Sequence, residues 1–168
     1  MRNIVLVGFM GTGKTSVGHA LAAELNLNFV DMDAMIEARE ERPISDIFAT
    51  DGEPYFRSVE RQVAQELAAR DGLVIGTGGG VVLDPKNISD FSASGLVVCL
   101  QASPQTILDR VAHDSTRPLL AGDDKLQSIL AILAKRQHLY AALPHQVDTN
   151  GRSIDQVVDA VRHLYRAS

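Results

Sequence analysis

The residues with the clearest chemical meaning form the segment 8–15, G-F-M-G-T-G-K-T, which fits the pattern G-x-x-x-x-G-K-[ST]. A short apolar run at 3–7 precedes it, and apolar residues recur at helical spacing after it. Between a strand and a helix, glycines let the backbone wrap around phosphate groups, so that N–H groups and the helix N-terminus face the anion. Lys14 would add a positive charge near the β- and γ-phosphates, and Thr15 offers a hydroxyl oxygen to Mg²⁺. The segment predicts a nucleoside triphosphate site.

Two carboxylates, Asp31 and Asp33, follow the second predicted strand at 28–31. In open α/β sheets, ligands bind beyond the carboxyl ends of the strands. One carboxylate could hold a water of the Mg²⁺ shell and the other could accept hydrogen bonds from a phosphoryl acceptor, as phosphoryl transfer requires. The alternative interpretation is an N-cap with first-turn acids at a helix that begins near Ala34.

The third predicted strand, 73–76, ends in the glycine-rich segment 76–80, G-T-G-G-G. Three consecutive glycines expose backbone N–H groups and remove side-chain bulk, which would let a small polar ligand lie against the main chain. A flexible turn is the alternative interpretation, and the segment by itself does not distinguish the two.

Four arginines complete the candidate set. Arg57 lies on a predicted helix, Arg110 ends another, Arg117 lies in an irregular segment and Arg136 lies on the helix that follows. The ordinary interpretation of each is an exposed surface arginine, and spacing does not show that they converge. If they converge, their guanidinium groups would suit an acceptor with a carboxylate, and Arg117 would stabilise charge on the transferring phosphoryl group.

Apolar runs of strand length alternate with helical patterns along the chain, which is typical of βα units around a parallel sheet. The pattern predicts an α/β fold with three layers, α/β/α. A polar stretch without apolar periodicity, at about 112–124, is predicted to be a mobile lid. The predicted strands are 3–7, 28–31, 73–76, 96–100 and 145–148, and the predicted helices are 14–25, 34–40, 53–70, 104–111, 125–142 and a last one capped by Ser153 and Gln156.

Length and composition limit the class of protein. A chain of 168 residues has the size of one domain, 1–168. Sixteen Lys and Arg against twenty-one Asp and Glu give a net charge of -5, which argues against a nonspecific nucleic-acid or anionic-membrane surface. With neither a signal segment nor an apolar run of membrane-spanning length, we expect a cytoplasmic protein. Cys99, the only cysteine, lies in an apolar run and is expected to be a buried, unreactive thiol.

Taken together, these motifs strongly resemble the shikimate kinase family, a family of small P-loop kinases. The resemblance extends over almost the whole chain, and the ordered set of motifs is far more specific than the phosphate loop alone. The matching segments are 8–15 (G-F-M-G-T-G-K-T), 31–33 (D-M-D), 56–60 (F-R-S-V-E), 76–80 (G-T-G-G-G), 117–120 (R-P-L-L), 134–136 (A-K-R) and 147–150 (V-D-T-N).

The resemblance implies ATP-dependent phosphorylation of the 3-hydroxyl of shikimate, a step toward chorismate and the aromatic amino acids. It also implies a P-loop kinase fold with a five-stranded parallel sheet, a lid and a shikimate-binding region at about 32–60. Shikimate and ATP would be the partners, Mg²⁺ the cofactor, and neither nucleic acid nor membrane would be bound. We expect a monomer.

The resemblance also assigns roles to individual residues. Lys14, Asp33 and Arg117 would be catalytic, and Thr15 and Asp31 would hold Mg²⁺. The nucleotide would contact Gly11, Thr12, Gly13, Lys14, Thr15, Ser16, Arg110, Arg117 and Arg152. Shikimate would contact Asp33, Arg57, Gly79, Gly80 and Arg136, in a pocket shaped or closed by Phe48, Phe56, Glu60, Pro118 and Leu119.

Two alternatives remain open. A kinase for another small polyol carboxylate, such as gluconate, would share the loop and the lid, although Arg57, the three glycines and Arg136 favour shikimate. A regulatory P-loop module without phosphoryl transfer would be expected to lose Lys14 or Asp33, and both are present. Asp33 itself could act as a general base or mainly orient the acceptor, because a loose transition state needs little early proton abstraction.

Overall fold

A computed structural model describes residues 1–111 and 125–168. The predicted lid at 112–124 lies outside the described residues, and so do Arg117, Pro118 and Leu119.

The described strands form one parallel sheet in the order β2-β3-β1-β4-β5. Because β1 lies at the centre, the phosphate loop that follows it leaves the sheet between β3 and β4. This arrangement confirms the predicted five-stranded parallel sheet. The strands are β1 (Asn3–Val7), β2 (Asn28–Asp31), β3 (Leu73–Gly76), β4 (Gly95–Gln101) and β5 (Gln146–Asp148).

Helices cover both faces of this sheet. Alternate residues of a strand point to opposite faces, and β1 accordingly sends Val5 into one buried cluster and Ile4 and Leu6 into the other. The helices α1 and α8 pack on the second cluster, and the remaining described helices supply the first. The helices are α1 (Lys14–Leu25), α2 (Met32–Glu40), α3 (Ile44–Thr50), α4 (Glu53–Ala68), α5 (Pro85–Ser94), α6 (Pro104–Val111), α7 (Lys125–Ala141) and α8 (Ile154–Ala167).

The prediction missed two helices, α3 and α5, and a short 3₁₀ helix at Val81–Leu83. A seven-residue helix such as α3 is too short to show a clear apolar periodicity. In contrast, α5 carries a recognisable start, because the Asp84 side chain accepts a hydrogen bond from the Lys86 N–H and Pro85 occupies the first turn. The sequence signal for α5 was therefore present.

Other local predictions are confirmed. Ser153 and Gln156 form the capping box at the start of α8, with each side chain bonded to the other residue's backbone N–H. Cys99 is buried in β4, and burial raises the pKa of its thiol to about 11, which keeps it in the unreactive protonated form. No helix among the described residues is long and apolar enough to cross a membrane.

Candidate active site

The phosphate loop joins β1 to α1 in a conformation that depends on its glycines. Gly11 and Gly13 have φ values of 76° and 95°, a region that side chains with a Cβ rarely adopt. Gly13 is the N-cap of α1, so the first-turn N–H groups of the helix have no partner within it. The loop therefore presents a helix N-terminus and backbone donors to an anion, as predicted.

Lys14 lies against this loop. Its ammonium donates hydrogen bonds to the backbone oxygens of Gly8 and Phe9, the latter at 3.0 Å. The loop is also fixed from within, because the buried Thr12 hydroxyl donates to the same Phe9 oxygen at 2.7 Å. Two backbone oxygens of the phosphate loop thus hold the positive charge of Lys14 against the loop.

Thr15 and Asp31 lie side by side at the carboxyl end of β2. The Thr15 hydroxyl is 3.5 Å from Asp31 Oδ2, while Asp31 Oδ1 accepts a hydrogen bond from the Ala34 N–H at 3.2 Å. The N-cap interpretation is therefore correct for Asp31, and α2 begins at Met32 rather than near Ala34. Asp33 lies in the first turn of α2. Asp31 keeps its second oxygen toward Thr15, so the N-cap role and a metal-binding role are compatible.

Arg110 connects the phosphate loop to the segment after β5. Its guanidinium donates to the Gly11 oxygen at 3.0 Å and to the side chain and backbone oxygens of Thr149 at 3.2 and 3.3 Å. A cleft opens beside these contacts. It is lined by Thr12, Gly13, Ser16, Arg110 and Arg152, all predicted nucleotide contacts, together with Val17, Thr149, Ser153, Ile154 and Val157.

A second pocket adjoins the phosphate loop at Met10, on the side of α2, α4 and α7. It brings together all five residues predicted to bind the acceptor, although they come from widely separated parts of the chain. The lining consists of Met10, Asp33, Ile44, Phe48, Phe56, Arg57, Glu60, Gly78, Gly79, Gly80 and Arg136. Sequence reasoning included neither Met10 nor Ile44 as a lining residue, because Met10 is a variable position of the motif and Ile44 lies on the missed helix α3.

Arg57 is held in this pocket by two glutamates of its own helix. Its Nη1 donates to Glu60 Oε1 at 3.1 Å, and its Nη2 and Nε donate to Glu53 Oε1 at 3.0 and 3.2 Å. The guanidinium also lies 5.1 Å from the centre of the Phe56 ring. Arg57 is therefore an oriented cation, not a solvated surface arginine.

The three glycines make close approach possible. A Cβ built on Gly80 would overlap the Arg57 guanidinium, one on Gly78 would lie 2.8 Å from Asp33 Oδ1, and one on Gly79 would lie 3.5 Å from Arg136 Nη1. Each glycine thus leaves room for a different charged side chain.

The backbone oxygens of the same three glycines accept hydrogen bonds, whereas their N–H groups have no partner among the described residues. The Gly78 and Gly80 oxygens accept from the N–H groups of Val81 and Leu83, and the Gly79 oxygen accepts from the Tyr140 hydroxyl. Within residues 1–111 and 125–168, the N–H groups of the three glycines make no hydrogen bond. A buried N–H group without a partner is costly, so this loop is suited to a ligand with acceptor oxygens.

Arg136 is 5% exposed, and its Nη1 has no hydrogen-bond partner in the described part of the chain. Burying a cation with an unsatisfied donor is unfavourable unless a ligand completes it. Arg136 and the three glycines line the same pocket. Together they indicate an anionic ligand with oxygen acceptors.

Glu60 is the buried counter-charge of this pocket, with 2% of its surface exposed. Burial raises the pKa of Glu60 to about 7, the Asp33 carboxylate adds to the increase, and the Arg57 and Arg136 guanidinium groups oppose it. The prediction assigned Glu60 a part in shaping the pocket. Its burial could not be read from the sequence.

Comparison with known proteins supports the same kind of site. A model of the shikimate kinase family matches residues 10–165. A shikimate kinase from Pelotomaculum thermopropionicum is 43% identical over 166 residues, which cover 99% of this chain and 96% of that protein. The solved structure of a shikimate kinase from Acinetobacter baumannii in complex with shikimate has a TM-score of 0.94 and 34% identity, covering 99% of this chain and 94% of that one.

A gluconokinase from Sinorhizobium meliloti is similar at a TM-score of 0.61 and 21% identity, which shows a common fold alone. The family match extends over nearly the whole chain. It therefore decides against a kinase for another polyol carboxylate and against a regulatory P-loop module. The chain belongs to the shikimate kinase family, the P-loop kinases that phosphorylate shikimate.

Proposed function

We propose that this chain transfers the γ-phosphoryl group of ATP to the 3-hydroxyl of shikimate, with the acceptor in the pocket of Asp33, Arg57 and Arg136 and the nucleotide on the phosphate loop. One observation carries this assignment of sites. Two arginines, the carboxyl groups of Asp33 and Glu60, and three glycines whose N–H groups have no partner in the described part of the chain converge on a pocket that adjoins the loop at Met10.

In this proposal Arg57 and Arg136 bind the carboxylate of shikimate. Arg57 is already oriented by Glu53 and Glu60, and Arg136 has a buried donor that a carboxylate would complete. Charge-assisted hydrogen bonds from guanidinium groups are directional and are about twice as strong as neutral ones. The glycine N–H groups would donate to the remaining oxygens of the acceptor.

Asp33 would accept hydrogen bonds from the acceptor hydroxyls and thereby orient the reacting oxygen. Its Oδ1 is the nearest side-chain atom to the space above Gly78, inside the same pocket. In a loose transition state the hydroxyl proton leaves late, so orientation is the larger part of this role. Asp33 would then take the proton as the new O–P bond forms.

On the nucleotide side, the N–H groups of Gly11, Gly13 and the first turn of α1 would surround the phosphates, with Ser16 beside them. Lys14 would stabilise the negative charge that develops on the transferring phosphoryl group. Arg110 and Arg152 would flank the adenine nucleotide, since both line the cleft beside the loop. The catalytic role of Arg117 lies outside the described residues and stays a prediction.

The family uses Mg²⁺ with ATP, and we propose that Thr15 holds the ion directly and Asp31 holds it through water. The donor set fits this ion, because two oxygen side chains stand 3.5 Å apart at the exposed end of β2. The described residues contain no group of three or more His, Cys, Asp or Glu that could hold a metal ion. In the proposal the remaining ligands of the ion would be phosphate oxygens and waters. When bound, Mg²⁺ would neutralise charge on the β- and γ-phosphates.

We further propose that the chain acts in the cytoplasm as a single-domain monomer and binds neither nucleic acid nor membranes. The net charge of -5 supports the absence of a nonspecific nucleic-acid or anionic-membrane surface. Size-exclusion chromatography with light scattering would test the monomer, since a dimer would double the measured mass.

The activity is tested by shikimate-dependent ADP formation with Mg²⁺ and ATP, in the presence of gluconate or nucleoside monophosphates as competing acceptors. Mass spectrometry and NMR of the product would identify the phosphorylated oxygen. We expect shikimate 3-phosphate and no inhibition by gluconate. Preferential phosphorylation of gluconate, or ADP release without a shikimate product, would contradict the proposal.

A further inference from the structure

Tyr140 lies behind the glycine loop rather than in the acceptor pocket. It is on α7, it is 3% exposed, and its hydroxyl donates a hydrogen bond to the Gly79 oxygen. The acceptor pocket is lined by Gly79 and by Arg136 but not by Tyr140. Tyr140 is therefore placed to act on the pocket through other residues.

The bond from Tyr140 determines the direction of an N–H group. The Gly79 oxygen and the Gly80 N–H belong to one planar trans peptide and point in opposite directions. Because Tyr140 holds the oxygen, the Gly80 N–H points away from α7, and it has no acceptor among the described residues. A peptide between two glycines has little steric resistance to rotation, so an anchor on its oxygen is needed to keep one orientation.

Tyr140 also lies beside the second candidate group of the pocket. Arg136 is four residues earlier on α7, so the two side chains share a face of the helix. Burial raises the pKa of the Tyr140 hydroxyl, and the neighbouring Arg136 guanidinium opposes this increase. Arg136 Nη1 in turn lies 3.5 Å from the position that a Cβ on Gly79 would occupy. One tyrosine thus contacts both the glycine loop and the buried arginine.

We propose that Tyr140 is a positioning residue for acceptor binding: its hydroxyl holds the Gly79–Gly80 peptide with the Gly80 N–H toward the pocket and keeps Arg136 against the loop. This inference rests on the proposed function, because it takes the pocket of Gly80 and Arg136 as the acceptor site. Tyr140 itself does not line the pocket of Arg57 and Arg136. Its removal should affect binding of the acceptor and not of the nucleotide.

The test is the variant Tyr140→Phe, which keeps the ring and removes the hydroxyl. With the loss of one hydrogen bond, the KM for shikimate should rise about 3- to 10-fold. The KM for ATP should stay unchanged and kcat should change less than about 2-fold. The matched control is Tyr165→Phe, because the Tyr165 hydroxyl also donates to a backbone oxygen, that of Arg2 at 3.0 Å, and lines none of the described clefts.

NMR gives a readout that needs no catalysis. In the free protein, Tyr140→Phe should move or broaden the Gly80 amide resonance and the Gly79 carbonyl ¹³C resonance, and Tyr165→Phe should move neither. The wild-type Gly79 carbonyl should already have the shift of a hydrogen-bonded oxygen. The wild-type carbonyl shift tests the bond even if Tyr140→Phe does not fold, because it needs no variant.

Several results would overturn the proposal. The first is an unchanged shikimate KM in Tyr140→Phe with unmoved glycine resonances, and the second is an equal loss for shikimate and ATP together with a lower Tm, which would indicate a merely structural role. A wild-type Gly79 carbonyl without a hydrogen-bonded shift would also overturn it. Failure of the proposed function has a different signature: Arg136→Lys would then leave shikimate binding unchanged, whatever the glycine resonances do.

Discussion

The phosphate loop and the acceptor pocket are neighbours that are constructed differently. The loop consists of consecutive residues, 8–15, and presents mainly backbone groups. The acceptor pocket collects Asp33 from α2, Arg57 from α4, the glycines after β3 and Arg136 from α7. In the loop one turn supplies both the geometry and the donors. In the pocket every charged group depends on the packing of a different element.

The two regions also differ in the partners of their positively charged side chains. At the loop, the Lys14 ammonium donates to the backbone oxygens of Gly8 and Phe9. In the pocket, Arg57 is bonded to the buried Glu60, while the buried Arg136 keeps an unpaired donor. Substitutions in the loop should therefore act mostly on the rate of transfer, and substitutions in the pocket mostly on acceptor affinity and stability. Four substitutions test this difference between the two regions.

The largest effect is expected for Lys14→Ala. Removing the charge that we propose stabilises the transferring phosphoryl group should lower kcat by about 10³-fold, while the shikimate affinity and the Tm stay close to wild type. Steady-state kinetics and calorimetry measure both. Lys86→Ala, on the exposed surface of α5, is the matched control and should be neutral. Near-normal turnover in Lys14→Ala would reject its role.

The next effect concerns stability and pH through Glu60. Its pKa rises from the ordinary value of 4.5 to about 7 on folding, because the side chain is buried. The folded state therefore binds more protons than the unfolded state between these values. The contribution of Glu60 to the unfolding free energy is fully present below about pH 4.5 and is lost as the pH rises through 7, by roughly 3 kcal/mol in all.

Urea unfolding of the wild type and of Glu60→Gln at a series of pH values from 4.5 to 8 measures this loss. The stability of the wild type relative to the variant should fall as the pH rises. Glu66→Gln is the control, because the hydrogen bond from Arg39 lowers the pKa of the exposed Glu66 below this range. A pH-independent difference between wild type and Glu60→Gln would show that Glu60 titrates normally.

Arg136→Lys tests the role of the buried arginine in acceptor binding. Lysine keeps the charge but loses the planar fork of donors, so shikimate affinity should fall by about 1–3 kcal/mol. ATP affinity should not change. Arg162→Lys is the control, since Arg162 pairs with Glu24 and Asp159 on the surface. A loss of ATP affinity as large as that of shikimate would remove the distinction between the two regions.

The smallest effect is expected for Gly80→Ala. The backbone there, with φ of -92°, tolerates alanine, but the added methyl group would overlap the Arg57 guanidinium. Arg57 is partly exposed and can move aside, so we expect shikimate affinity to fall by about 1 kcal/mol. The same substitution made together with Arg57→Ala should cost less. An undiminished cost in the double variant would mean that Gly80 acts independently of Arg57.

Much of the fold could be predicted because its three central strands, β1, β3 and β4, are nearly continuous apolar runs. The bounds of β1, β2 and β3 agree with the prediction, and β4 extends one residue further at each end. A buried parallel strand must be apolar on both faces, so the signal is local. The helix α3 carried no such signal, because seven residues make less than two full turns.

The candidate site was predictable to different extents in its two regions. The phosphate loop is a local motif, and its backbone geometry follows from the positions of its glycines. The convergence of Arg57 and Arg136 depends on tertiary packing, so it was expected only through the family resemblance. The burial of Glu60 and the bond from Tyr140 to Gly79 depend on packing too, and no spacing in the sequence indicates them.

We propose that the acceptor pocket recognises a carboxylate through two arginines: Arg57, which Glu53 and Glu60 orient, and the buried Arg136. The most direct test is calorimetry of shikimate and of its uncharged carboxamide, shikimamide, with the wild-type protein. We expect shikimate to bind at least about 10-fold more tightly, because only the carboxylate can complete the charge-assisted bonds of Arg57 and Arg136. Equal affinities for the two compounds would contradict it.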